Sequence, residues 1–158
     1  VFPKAEMILN DIEYTNWSNY SNFEGKGEAT ENAFNLSKSV FDAYADRLTT
    51  VSGAADLGHG ISVVPLFGHT LGHCGIRIND GEGQFLIVAD IAHAVDLQLA
   101  NPDIGVVYDV DSALAAKSRK SMLDELATDT IPCSGGHFLY PGIGRIERAG
   151  SGYRYVAN

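Results

Sequence analysis

The sequence predicts a mixed α/β fold, organised as a single domain over residues 1–158. Apolar runs of strand length recur through the chain, and other segments carry apolar residues at helical spacing. Turns rich in glycine and asparagine separate these segments. A chain of 158 residues with 45% hydrophobic content is long enough to bury a core of its own.

The N-terminal part of the chain predicts a strand followed by two helices. Residues 5–9 form a short apolar run that is typical of a strand. Residues 11–20 predict a helix with Asn10 or Asp11 as its N-cap, because both side chains accept hydrogen bonds from free backbone N–H groups. Residues 33–48 have near-helical apolar spacing and predict either a packed surface helix or a helix that lies over a site as a lid.

The middle of the chain predicts strands. Residues 61–66 form an apolar run, and residues 74–78 alternate between apolar and other residues with period two. Residues 79–83 have the composition of a turn, so residues 84–88 are expected to return as the second strand of a hairpin.

The C-terminal part predicts a helix, a buried strand and a closing hairpin. Asp111 is expected to cap a helix that runs to about Ala127. Residues 130–133 predict a buried strand, and residues 145–148 and 153–156 predict the two strands of the hairpin.

Charge and composition exclude some partners. The formal net charge of -9 disfavours nucleic acid and anionic membranes, which bind basic surfaces. No apolar run approaches the roughly 20 residues of a membrane span. We therefore expect a soluble protein with no nucleic acid and no membrane partner, located in the cytoplasm or periplasm if its source is bacterial. Cys74 and Cys133 are expected to be small buried residues, with a role beside a metal as the unsupported alternative.

Three side chains at the ends of predicted strands point to metal chemistry. Residues 68–73 read Gly-His-Thr-Leu-Gly-His and place His69 on a sharp turn directly after a strand. Asp90 ends the apolar run before it, and His137 follows two glycines. Imidazole nitrogens and carboxylate oxygens suit zinc and similar divalent metals, and one carboxylate can bridge two of them.

In this order the motifs resemble the metallo-β-lactamase superfamily. Residues 68–73 are similar to its Gly-His-Thr-Pro-Gly-His motif, residues 89–93 to its Gly-Asp-X-X-His strand end, and His137 to its last metal histidine. The resemblance is closest to the branch of methyl-parathion hydrolases and quorum-quenching lactonases. The features that carry it are Asn101-Pro102, residues 108–111, Arg119, Leu123-Asp124 and residues 137–144.

The resemblance implies an αββα sandwich and a site for two zinc or other divalent ions. His69 would bind one metal, His137 the other, and Asp90 would bridge them as a catalytic carboxylate. His73 would support catalysis by holding the turn or a ligand through a hydrogen bond. His93 is expected to point into the domain near Asp90.

The resemblance also suggests a substrate pocket. Phe138, Leu139 and Tyr140 resemble its apolar wall, with packing in the core as the alternative.

One motif of the superfamily is not in this sequence. The first histidine of the chain is His59, a turn residue, and His-X-His-X-Asp-His does not occur. We therefore expect residues 1–158 to be the C-terminal half to two-thirds of the fold, preceded by a missing N-terminal segment or completed by a homo-oligomer. With few ligands for each metal, the chain alone is expected to bind metal weakly and to turn over poorly.

The leading hypothesis is the C-terminal part of a hydrolase in which a metal-bound hydroxide attacks a lactone, phosphoester or related small-molecule ester. The alternative is a non-catalytic domain that keeps the fold and binds a ligand or a partner chain. A di-iron redox relative of the same fold is a weaker third hypothesis, because no iron- or flavin-specific motif is present.

Overall fold

The chain divides into two units, Val1–Ser52 and Gly53–Asn158, in the computed structural model, which describes residues 2–158. The mixed α/β class predicted from the sequence is confirmed. That residues 1–158 behave as one domain stays a prediction. Among the described residues, no helix has the length and apolar character needed to cross a membrane.

The first unit contains a two-stranded parallel sheet whose strands are joined through helices. Its elements are β1 (Met7–Asn10), α1 (Asp11–Trp17), a 3₁₀ helix (Tyr20–Asn22), α2 (Glu28–Ala43) and β2 (Leu48–Val51). Parallel strands require a crossover connection, which the helices provide. The side chain of Asn10 accepts a hydrogen bond of 3.0 Å from the backbone N–H of Ile12, so Asn10 caps α1 as expected.

Aromatic side chains hold the helices of the first unit together. The rings of Trp17 and Phe23 stack with centroids 4.5 Å apart, and Phe23 packs against Phe34 of α2 at 5.3 Å. Phe23 and Phe34 are buried, so α2 packs through this face.

The second predicted helix was misplaced along the chain. The sequence predicted residues 33–48, whereas α2 begins at Glu28 and ends at Ala43. Acidic side chains in the first turn favour the earlier start, since they face the positive end of the helix dipole. Arg47 donates a hydrogen bond of 3.1 Å to the carbonyl oxygen of Ala43 and closes the end of the helix, and Leu48 starts β2.

The second unit contains a seven-stranded sheet that runs from β3 to β9 in chain order. Only the pairing of β6 with β7 is parallel among the described neighbours of this sheet. The strands are β3 (Ala55–Gly58), β4 (Ile61–Pro65), β5 (Cys74–Asn79), β6 (Gln84–Ile87), β7 (Cys133–Ser134), β8 (Ile143–Ala149) and β9 (Gly152–Ala157).

Two helices, α3 (Val95–Ala100) and α4 (Ser112–Thr128), form the crossover between β6 and β7. The side chain of Asp111 accepts a hydrogen bond of 2.9 Å from the backbone N–H of Leu114, so the predicted cap of α4 is confirmed.

The core of the second unit joins α4 to the sheet. Buried side chains from α4 meet buried side chains from β6, β7, β8 and the residue that follows β6 in one apolar cluster, which includes Leu86, Val88, Met122, Leu123, Leu126, Cys133 and Ile146. Cys133 is completely enclosed, as expected for a small core residue.

The predicted strand over residues 130–133 is shorter than expected. Thr130 adopts a left-handed backbone conformation with φ of 53°, and the N–H of Ile131 bonds to the carbonyl oxygen of Leu126 at 3.1 Å. These residues therefore complete the end of α4, and strand pairing begins only at Cys133.

Replacing Leu123 with alanine should lower the free energy of unfolding by about 2–5 kcal/mol, because the side chain is fully enclosed and its loss leaves a cavity. Leu97→Ala is the matched control, since Leu97 is 62% exposed and its loss should change stability by less than about 0.5 kcal/mol. Urea denaturation followed by circular dichroism measures both, and equal shifts would contradict the assigned core.

Candidate metal centre

The Gly-His turn after β4 is held against the start of α4. Gly68 has a φ of 126°, and a Cβ there would lie 2.1 Å from the backbone nitrogen of Ala115. Only glycine permits this approach. The carbonyl oxygen of His69 accepts from the N–H of Val110 at 3.1 Å, and that of Gly68 accepts from Asp111 at 2.9 Å. The helix start therefore fixes the backbone of His69.

His73 connects this turn to the next strand end. Its Nδ1 lies 2.9 Å from the carbonyl oxygen of Leu66, and its Nε2 accepts a hydrogen bond of 3.2 Å from the backbone N–H of Asp90. A carbonyl can only accept, so the ring proton belongs on Nδ1. This arrangement is compatible with the positioning role expected of His73, and that role stays a prediction.

The carboxylate of Asp90 lies between two imidazoles. Its Oδ2 is 3.7 Å from Nε2 of His69, and its Oδ1 is 3.5 Å from Nε2 of His137. Two ligands bound tetrahedrally to one zinc ion lie about 3.4 Å apart. A Cβ on Gly136 would lie 2.4 Å from Asp90 Oδ1, so glycine makes room for the carboxylate here.

His93 also lies in this group, although the sequence assigned it no ligand role. Its ring centroid is 4.6 Å from that of His69 and 4.3 Å from that of His137. Ligand atoms of His69, Asp90 and His93 all lie within 4.8 Å of one another. The Asp-X-X-His spacing was the available signal, and it predicted only that His93 points towards Asp90.

The electrostatic surroundings of His93 favour its neutral form. Burial is the main cause that lowers the pKa of His93, and the neighbouring His69 and His137 lower it further. Asp90 and Asp109 act in the opposite direction. A lowered pKa favours the neutral imidazole, which has a lone pair for a metal.

A buried pair behind His69 was not recognised as functional from the sequence. Asp109 Oδ1 lies 3.2 Å from Nδ1 of His69, and Asp109 Oδ2 lies 3.7 Å from a terminal guanidinium nitrogen of Arg119. In the sequence, both residues contribute only to the resemblance to a family. Burial lowers the pKa of Arg119 from its ordinary value, and the charge of Asp109 raises it again.

The three expected pocket residues lie in different surroundings. Phe138 is buried in the core, where the centroid of its ring lies 4.8 Å from that of Tyr155. This corresponds to core packing, the alternative to a place in the pocket wall. Leu139 and Tyr140 are exposed, with 64% and 96% of their surfaces accessible. Their place in a pocket wall stays a prediction.

The donor set fits a divalent metal. It combines imidazole nitrogens with the carboxylate of Asp90, which are ligands that zinc, iron, manganese and cobalt accept. Ligand atoms of His69, Asp90 and His93 lie within 4.8 Å of one another, and His137 lies on the other side of the Asp90 carboxylate.

Comparison with known families agrees with the geometry. The family model of the metallo-beta-lactamase superfamily matches residues 7–137, and the chain belongs to that superfamily. A search of curated proteins found no match.

Solved structures of hydrolases share this fold. AidC, a dizinc quorum-quenching lactonase, is 24% identical, with a TM-score of 0.88 over 100% of this chain and 56% of that one. The hydrolase AbOPH of the beta-lactamase superfamily is 22% identical, with a TM-score of 0.85 over 99% of this chain and 56% of that one. An N-acyl homoserine lactone hydrolase is 14% identical, with a TM-score of 0.62 over 90% and 54%. The chain thus spans about half the length of these structures.

The thiol of Cys133 should resist alkylation in the folded chain, although it lies close in sequence to His137. Burial raises the pKa of Cys133 from its usual value near 9 to about 12, so the unreactive thiol persists at pH 8. Above about pH 9 only the unfolded thiol ionises, which lowers the folding stability. Iodoacetamide labelling with mass spectrometry, with and without urea, measures this, and rapid native labelling of Cys133 would contradict it.

Proposed function

We propose that this chain is part of a divalent-metal-dependent hydrolase that acts on a lactone, a phosphoester or a related small-molecule ester. The observation that carries the proposal is the placement of Asp90, whose two carboxylate oxygens face Nε2 atoms of two different histidines. A carboxylate that bridges two metals needs its oxygens in this arrangement.

His69 and Asp90 would hold one metal, and Asp90 and His137 would hold the other. His93 is close enough to His69 and Asp90 to complete the first set. A bound divalent metal would supply Lewis-acid chemistry, by acidifying water and polarising the carbonyl or phosphoryl oxygen of the ester.

The protein groups orient and expose these ligands. His73 accepts a hydrogen bond from the backbone N–H of Asp90 and so fixes the backbone that carries the carboxylate. The side chains of Asp90 and His137 are 41% and 45% exposed, whereas that of His69 is 15% exposed. A small substrate would therefore approach from the side of Asp90 and His137.

Lactones are the first substrate class to test. Two of the similar structures are lactone hydrolases, and their fold is the fold of this chain. The net charge of -9 disfavours polyanionic nucleic acid as a substrate. A neutral lactone or phosphotriester avoids that repulsion.

His69→Asn should weaken the binding of Co²⁺ or Zn²⁺ by at least about tenfold, because it removes a ligand nitrogen. His59→Asn is the matched control: His59 is exposed and has a φ of 53°, a left-handed conformation that asparagine tolerates. Isothermal titration calorimetry and the absorption spectrum of bound Co²⁺ measure the change. Equal affinities for the two variants would contradict the assignment of His69.

Hydrolysis tests the activity itself. The chain would be joined to an upstream segment carrying His-X-His-X-Asp-His, loaded with zinc and assayed with N-hexanoyl-homoserine lactone and a phosphotriester. We expect turnover that a chelator abolishes and that Asp90→Asn lowers by about 100-fold or more in kcat/KM. Tight stoichiometric metal with no turnover of either ester class would favour the non-catalytic binding domain instead.

A further inference from the structure

We propose that Asp109 is a positioning residue that sets the tautomer and the orientation of the His69 ring, so that Nε2 faces the metal site. The inference rests on the proposed role of His69 as a ligand. It concerns a residue 40 positions away in sequence, on the loop that precedes α4.

The carboxylate of Asp109 is almost completely enclosed, with 1% of its side chain exposed. Its Oδ1 lies 3.2 Å from Nδ1 of His69, and its Oδ2 accepts a hydrogen bond of 3.1 Å from the backbone N–H of Val106. Each oxygen therefore has its own partner, and the plane of the carboxylate is fixed. A buried carboxylate with fixed partners orients the group that it contacts.

Arg119 compensates the negative charge of Asp109 without competing with His69 for the carboxylate oxygen Oδ1. Its Nε donates to the carbonyl oxygen of Ile91 at 2.7 Å. Its Nη1 donates to the carbonyl oxygens of Pro102 and Ile104 at 2.7 and 3.0 Å. Only Nη2 faces Asp109, at 3.7 Å from Oδ2. Oδ1 is thereby left to His69.

The chemistry of the pair decides the tautomer. An ionised carboxylate only accepts hydrogen bonds, so a neutral His69 that bonds to Asp109 must carry its proton on Nδ1. Its lone pair then lies on Nε2, which faces Asp90 Oδ2 at 3.7 Å. Carboxylate–histidine pairs of this kind orient metal-binding imidazoles and increase their basicity.

The first experiment needs no substitution at Asp109. Long-range ¹H–¹⁵N spectra of the metal-free chain at about pH 9, where imidazole is neutral, report which ring nitrogen carries the proton. The His69→Asn variant assigns the signals. We expect the proton of His69 on Nδ1, and a proton on Nε2 would overturn the proposal.

The second experiment uses Asp109→Asn. The amide can donate to Nδ1, so the His69 proton should move to Nε2, and the zinc affinity should fall by about 10- to 100-fold. Asp103→Asn is the matched control, since it removes the same charge from a carboxylate that is exposed and pairs with Lys120 at 2.5 Å. It should leave both measurements unchanged.

The outcomes separate positioning from mere charge compensation of Arg119. A folded Asp109→Asn variant with reduced thermal stability but an unchanged tautomer and zinc affinity would overturn the proposal. If that variant does not fold, the wild-type tautomer decides. A wild-type chain with the proton on Nδ1 that binds no zinc even when joined to an upstream segment carrying His-X-His-X-Asp-His would overturn the proposed metal role of His69 and leave its positioning by Asp109 standing.

Discussion

The buried guanidinium of Arg119 is the constraint on which the loops around the candidate metal centre depend. A permanently charged group inside an apolar core is costly unless its N–H groups find acceptors. Carbonyl oxygens of Ile91, Pro102 and Ile104 provide them, and Asp109 provides the opposite charge. Arg119 and Leu123 are both buried residues of α4. The segment between β6 and α4 must therefore run past the guanidinium so that its carbonyl oxygens can accept these hydrogen bonds.

Strand pairing and hydrogen bonds from the loop before α4 together place the proposed ligands. Asp90 and His137 follow strand ends, and the pairing of β6 with β7 brings them together. His69 lies on the turn between β4 and β5, outside the strand pairing. The loop that Arg119 holds in place restrains His69 at two points. The N–H of Val110 bonds to the backbone of His69, and Asp109 contacts its ring.

Residue spacing and capping side chains in the sequence predicted the strands and helices whose formation depends on neighbouring residues. An apolar run marked β4, and alternation marked β5. The turn over residues 79–83 indicated the return as β6, and the side chain of Asp111 marked the start of α4. β2 and β3 escaped prediction because each is four residues long with few apolar side chains, and the six residues of α3 make too short a pattern. The three proposed ligands were visible through spacing that resembles a family. Asp109 was not, because its proposed role depends on a loop that only folding brings beside His69. His93 was visible in the Asp-X-X-His spacing, but that spacing predicted only that His93 points towards Asp90.

The unequal exposure of the two proposed metal positions has an evolutionary consequence. His69 and Asp109 are enclosed, so almost any change there disturbs packing and charge together. Leu139 and Tyr140, close after the proposed ligand His137, face outward, where new side chains cost little stability. Substitutions at the exposed positions can therefore accumulate while the enclosed pair of His69 and Asp109 is kept. Such a division lets a lineage explore substrates without rebuilding its reactive centre.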